Sequence, residues 1–238
     1  MEGHLEGATS VANNMRISGK EAGAEAFANL LASFADTRAR IYLGVSFENL
    51  EQELHETEGM RPGEMEPRLC LVKAHQGHKE EAAKILEKNV VNRPSIGTSE
   101  DETLTWVDTL YLEASVLSGH LRAAELLLNR LSGNGLCTTG HEHTTCIPRH
   151  LGGACALLER YDEARKYYDE AIKVCTDMRF RPEMALTRLQ MAELLLEHYP
   201  DEKKEALEHL DFAIKEFTEM KMQPSLERAL RQKKILKA

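Results

Sequence analysis

Four alanines, Ala82, Ala124, Ala164 and Ala206, recur at spacings of 42, 40 and 42 residues. Each stands in a stretch whose apolar residues return every three to four positions, the period of an amphipathic helix, and each stretch follows another of the same kind. Short breakers separate the two members of a pair: Gly77-His78, Gly119-His120 and Tyr199-Pro200-Asp201. A lone helical hairpin cannot hide its apolar face, so a recurrence of this length calls for a row of hairpins, each buried against the next. No strand-like alternation interrupts the row. The expected fold is all-α, a right-handed α-solenoid of stacked helical hairpins.

The clearest member of the series is the 34-residue stretch from Pro148 to Arg181. Leu151, Gly152 and Cys155 mark the buried face of its first helix, and Ala164, Tyr168 and Ala171 that of its second. Small residues at Gly152 and Ala164 let the backbones approach, while Leu151 and Tyr168 fill the space beside them. This order of small and bulky positions resembles a tetratricopeptide repeat. The match is good over 148–181, fair over 62–95, 104–137 and 184–220, and partial over 36–60, with extra loop residues lengthening the period.

From about Arg61 onward the chain is also similar to the C-terminal repeat tails of large bacterial signalling proteins. The runs TCIPRHLGGACALLERYDEARKYY, RPEMALTRLQMAELLLEHYPDE and MKMQPSLERAL carry that likeness. Such tails follow a nucleotide-cyclase or ATPase module, and their repeats sense a ligand or partner. The resemblance implies a non-catalytic, protein- or peptide-binding scaffold or sensor without a cofactor. The alternative is a regulatory tail or fragment of a cyclase- or ATPase-type regulator whose output module is absent here, since the chain holds no G-x-x-x-x-G-K-[ST] phosphate loop.

Two parts are expected along the chain. Residues 1–35 form an N-terminal helical segment, partly frayed, with a frayed or weak helix over 1–19 and with Ala26, Phe27, Leu30, Leu31 and Phe34 on one side of its stronger half. Residues 36–238 form the repeat domain with a closing helix from near Ser225. Asp36 is placed to cap its first helix, in which Leu43, Gly44 and Phe47 match Leu151, Gly152 and Cys155; the break Arg61-Pro62-Gly63 ends that hairpin. Ser99 or Asp101 is placed to cap the helix that carries Trp106.

The net charge of −9 argues against nucleic acid as a partner, because phosphate contacts need a basic surface. All of that excess falls in residues 1–120, and the rest of the chain balances at zero. The final turns are locally basic, with Arg228, Arg231, Lys233, Lys234 and Lys237 on what reads as a solvated helix. No apolar run approaches the length of a membrane span. Five cysteines without framework spacing suit a reducing cytoplasm. Self-association is left open.

Cys137, His141, His143 and Cys146 fall close together in a polar loop and are zinc-type ligands, but the spacing lacks the paired knuckles of a structural site. His150 and Cys155, five positions apart on one helix, point to different faces, so no nucleophile–base pair is read there. The acidic pairs Glu80-Glu81, Asp162-Glu163 and Asp201-Glu202 stand where they favour helix N-termini. The expected functional surface is a concave groove lined by first helices: Trp106, Thr109 and Glu113, then Arg149 and Gly153, then Leu189, Gln190 and Glu193. A protein or peptide is its expected occupant, with the tryptophan and the arginine as anchors.

Overall fold

A computed structural model describes residues 2–45, 47–57, 63–133, 135–140 and 143–237. These hold twelve α-helices and no strand: α1 (Leu5–Glu21), α2 (Glu25–Leu43), α3 (Phe47–Thr57), α4 (Met65–Gln76), α5 (Lys79–Leu86), α6 (Thr105–Ser118), α7 (Leu121–Leu131), α8 (Ile147–Leu157), α9 (Tyr161–Asp177), α10 (Arg181–His198), α11 (Lys203–Met220) and α12 (Gln223–Lys237). None of the described helices is long and apolar enough to cross a membrane. The Phe47 side chain, matched by sequence to the buried-face position of Cys155, the Arg61-Pro62 break and the candidate loop ligand His141 lie outside the described residues.

One turn chemistry makes most of the corners. After α4 the Gly77 N–H returns to the Ala74 carbonyl and the His78 N–H to the Lys73 carbonyl. The same pair of bonds closes α6 at Gly119-His120, α8 at Glu159-Arg160, α9 at Arg179-Phe180 and α11 at Lys221-Met222. This motif needs a left-handed residue, which glycine supplies without penalty. Glu159, Arg179 and Lys221 adopt it at φ of 60°, 53° and 58°. Tertiary packing therefore imposes at three corners what the residue itself resists.

The even-numbered helices touch in sequence: α4 on α6, α6 on α8, α8 on α10 and α10 on α12. Close approach within the pairs depends on small residues. A side chain on Gly152 would bring its Cβ to 2.6 Å from the Tyr168 ring, so the α8–α9 contact requires glycine there. The order of small and bulky residues in this hairpin was legible from sequence because it is set by that contact.

The N-terminal third departs from the expected pattern. Residues expected to make a frayed or weak helix form the continuous helix α1, which rests on α2 along one side: Ala12 is buried and Gly19 lies directly against Ala28. Asp36 is no helix cap. It sits in the middle of α2, almost wholly buried, because Arg16 of α1 binds its carboxylate at 2.9 Å. The boundary drawn at residue 36 thus falls inside one continuous helix. Gly44, matched by sequence to Gly152, is instead the left-handed residue that ends α2. Nor do Ser99 and Asp101 cap α6: Leu104 precedes it, and Asp101 accepts from the Thr103 N–H and pairs with Arg93 and Arg130.

Beyond its pairing with α1 and α3, α2 crosses the row of even-numbered helices. Its side chains meet Arg68 of α4, Glu113 of α6 and Glu183 of α10, and its C-terminal glycine abuts Pro224 of α12. The first and last hairpins therefore touch.

The two neighbouring glycines of α8 should respond differently to a methyl group. Gly152→Ala is expected to cost about 1–3 kcal/mol through overpacking against Tyr168. Gly153→Ala meets only ordinary contacts, the nearest at 3.5 Å from Val116, and should stabilise by about 0.5–1 kcal/mol through helix propensity. Urea denaturation of the two variants checks both signs.

Candidate functional site

The space between α2 and the row of even-numbered helices holds a cavity of about 150 Å³. Ile41, Val116, Leu117, Leu186 and Leu189 form its apolar wall, and His75, Glu113, Arg149, His150 and Gln190 its polar wall. Pro224, Ser225 and Arg228 of α12 stand at one end. An open cleft of about 360 Å³ shares Val116, Gly153, Gln190 and Arg228 with it and continues past Tyr161, Tyr168 and His198.

The polar wall belongs to a buried ionic cluster drawn from four helices. Arg149, 4% exposed, donates from Nε to Glu183 Oε2 at 2.7 Å and from Nη2 to Glu183 Oε1 at 3.2 Å. Its Nη2 also lies 3.5 Å from Glu113 Oε1 and 3.2 Å from His150 Nε2. From α2, Arg38 donates to Glu113 Oε2 at 2.9 Å and the Tyr42 hydroxyl donates to Glu183 Oε1. The backbone N–H of Cys146 donates to Glu183 Oε2 at 2.9 Å. Glu183 itself is completely buried, yet every strong acceptor direction is used.

This arrangement fixes the charges. Burial alone would push the Glu183 carboxyl up, but Arg149 and its neighbours outweigh burial and hold its pKa down at about 2. Burial likewise opposes the Glu113 carboxylate, and Arg38 and Arg149 hold it well below the usual range. His150 is depressed to about 3, first by burial and then by Arg149. Burial and the nearby Glu183 push the Tyr42 hydroxyl up. Two guanidinium and two carboxylate charges therefore face each other, with a neutral His150. A buried pair of this kind costs desolvation energy that only good geometry repays, and here the geometry is good.

Among the described residues, three buried polar atoms near the cluster lack a hydrogen-bond partner. His75 Nε2 is buried 3.6 Å from Glu113 Oε1, too far for a bond, and Arg38 has Nε and Nη2 unpaired. Arg38 faces a second, shallower cleft of about 710 Å³ that runs beside α1 toward Phe180.

Of the groove residues expected from sequence, Glu113, Arg149, Gly153, Leu189 and Gln190 all line the cavity. Glu193 lies in the adjoining cleft, paired with Arg228 of α12 at 2.5 Å. Trp106 and Thr109 are elsewhere. Trp106 packs against His143 and the fully buried Arg68, and the Thr109 hydroxyl is spent on the Thr105 carbonyl. His143 is tied in the same place: Arg68 Nε donates to its Nε2 at 2.5 Å. Cys146 is buried beside Cys175, and that contact followed by burial pushes its thiol up. Among the described residues no group of three or more His, Cys, Asp or Glu is placed to hold a metal ion. Cys155 is a buried core residue whose thiol burial raises to about 11.

Sequence reading missed Arg38, Tyr42, His75, His150 and Glu183. The four-residue spacing of Arg38 and Tyr42 on one helix was a signal. It could be used only once α2 was known to face the other even-numbered helices. No known protein family, curated protein or solved structure matches the chain.

Two outcomes follow from the cluster. Arg149→Met strands Glu113 and Glu183, and should cost about 3–5 kcal/mol of unfolding free energy. Acid should also destabilise the fold. His150 takes its proton near pH 3 when folded but near its ordinary 6.5 when unfolded. The unfolded chain therefore holds more protons between those values. Stability falls by about 1.4 kcal/mol per pH unit as pH drops through that window. Below about pH 4.5 the loss of Glu183 charge acts in the same direction. Urea midpoints at pH 7 and pH 5 test this, with a smaller drop expected in His150→Gln; equal midpoints in the wild type would contradict it.

Proposed function

We propose that the chain is a non-catalytic sensor of the tetratricopeptide-like kind. In this reading α2 to α11 make five hairpins of a right-handed α-solenoid, α12 closes it, and α1 braces α2. The observation that carries the reading is the placing of α2 across the row of first helices, with a cavity and an ionic cluster beneath it. An extended peptide in the expected groove would have to displace α2 from Glu113 and Glu183. A small ligand in the cavity displaces nothing. It would touch α2, α4, α6, α8, α10 and α12 together, which suits a module that converts ligand binding into a change in how its two ends meet.

Binding rather than turnover is favoured by the protonation states. An efficient general acid or base has a pKa near the working pH. Glu183, Glu113 and His150 are all held far from it, so they offer fixed charges and dipoles.

The reading predicts ligand-dependent order in α2. Backbone amides 38–43, and 225–228 at the start of α12, should exchange hydrogen more slowly when the purified protein is mixed with the low-molecular-weight extract of its source cells. Unchanged exchange in both segments across a concentration series would overturn the sensor proposal.

A further inference from the structure

We infer that the cavity under α2 binds a small uncharged molecule with a hydroxyl group on an apolar body about the size of a benzene ring. The inference rests on the sensor reading and adds the chemistry of the ligand. Size comes first. The cavity measures about 150 Å³, and an apolar protein cavity of ~150 Å³ holds benzene. The wall made by Ile41, Val116, Leu117, Leu186 and Leu189 would take the ring or an equivalent aliphatic body.

Charge comes next. Arg38 and Arg149 already balance Glu113 and Glu183. At the α12 end Arg228 is already paired with Glu193, so a carboxylate or ammonium brought into the same space would find no free counter-ion, and burying an unpaired charge is costly. The ligand is therefore neutral.

The head group follows from the unpaired His75 Nε2 in the polar wall. Glu113 Oε1 and His75 Nε2 face each other at 3.6 Å without a bond. A hydroxyl oxygen can sit within hydrogen-bonding distance of both, donating its proton to the Glu113 carboxylate and accepting from the Nε2–H of a neutral His75 tautomer. A carbonyl can only accept, and would face the carboxylate unfavourably.

Gly153 supplies the way in. Glycine inside a helix costs about 0.5–1 kcal/mol relative to alanine, and unlike Gly152 this one is not demanded by packing, since a Cβ would meet nothing closer than 3.5 Å. It stands where the cavity joins the open cleft, opposite Val116 and Gln190. Its missing side chain is what keeps that neck open.

Phenol, toluene, benzoate and benzylammonium, titrated calorimetrically into the full-length chain at pH 7, test the proposal. Phenol should bind with one-to-one stoichiometry, toluene at least 5-fold more weakly, and the two ions at least 10-fold more weakly. Gly153→Leu should weaken phenol at least 10-fold. Because that variant could pack poorly, nuclear Overhauser contacts from phenol to the Val116 and Leu189 methyls of the wild type give an independent location. Benzoate or benzylammonium binding as tightly as phenol would overturn the ligand class while leaving the sensor reading in place. Absence of phenol binding, or phenol contacts away from those methyls, would overturn the site. The sensor reading stands or falls separately, on the exchange of α2 amides with cell extract.

Discussion

The ion pair between Arg149 and Glu183 is the interaction on which the arrangement of this chain depends. Glu183 has no access to water, so its charge is tolerable only while Arg149, Tyr42 and the Cys146 N–H all reach it. Those partners come from α8, α2 and the loop that enters α8, and Arg149 extends the bond set to Glu113 of α6. One carboxylate thus ties four separate parts of the sequence to a single geometry. Apolar residues of the same volume could bury as much surface. They would not fix the angle of α2 to the row beneath it, because hydrophobic contact is non-directional and bidentate arginine–carboxylate bonding is not.

What α2 does follows from that constraint. Held by Arg38 and Tyr42, it lies over helices that would otherwise present an open face, and it meets α12 through the contact of Gly44 with Pro224. The polar face is covered without being filled. The remaining space is small, half apolar, and bordered by groups whose charges are settled well away from neutral pH. Such a space is suited to selecting a ligand by shape and hydrogen bonding. A second charge cluster, Asp101 and Asp108 with Arg93 and Arg130, plays a plainer part by anchoring the long α5–α6 connection to α7.

The helices from α4 onward were legible from residue pattern because their signals are local. Gly77 and Gly119 end helices wherever they stand, and the Gly152–Tyr168 contact leaves its mark as an order of small and large residues. Even five of the eight expected groove residues fall together, since register within a helix carries their direction. The N-terminal third was harder to read. Asp36 has the chemistry of a helix cap and becomes a buried ion partner only because Arg16, twenty residues earlier, packs against it. Gly44 matches a repeat position but acts as a terminator. In each case a local preference yields to a contact the sequence does not announce.

The sequence by itself determined that this protein is all helix, where most of its helices start and stop, and which faces of them are apolar. Those properties follow from backbone propensity, turn chemistry and a repeating hydrophobic period, each of which acts over a few residues. Only the tertiary structure decided that α2 lies across the row, that Trp106 belongs with Arg68 and His143, and that Arg149 meets Glu183 beside a cavity. These depend on charges and shapes brought together from distant parts of the chain. Their energies exist only once water has been excluded between them.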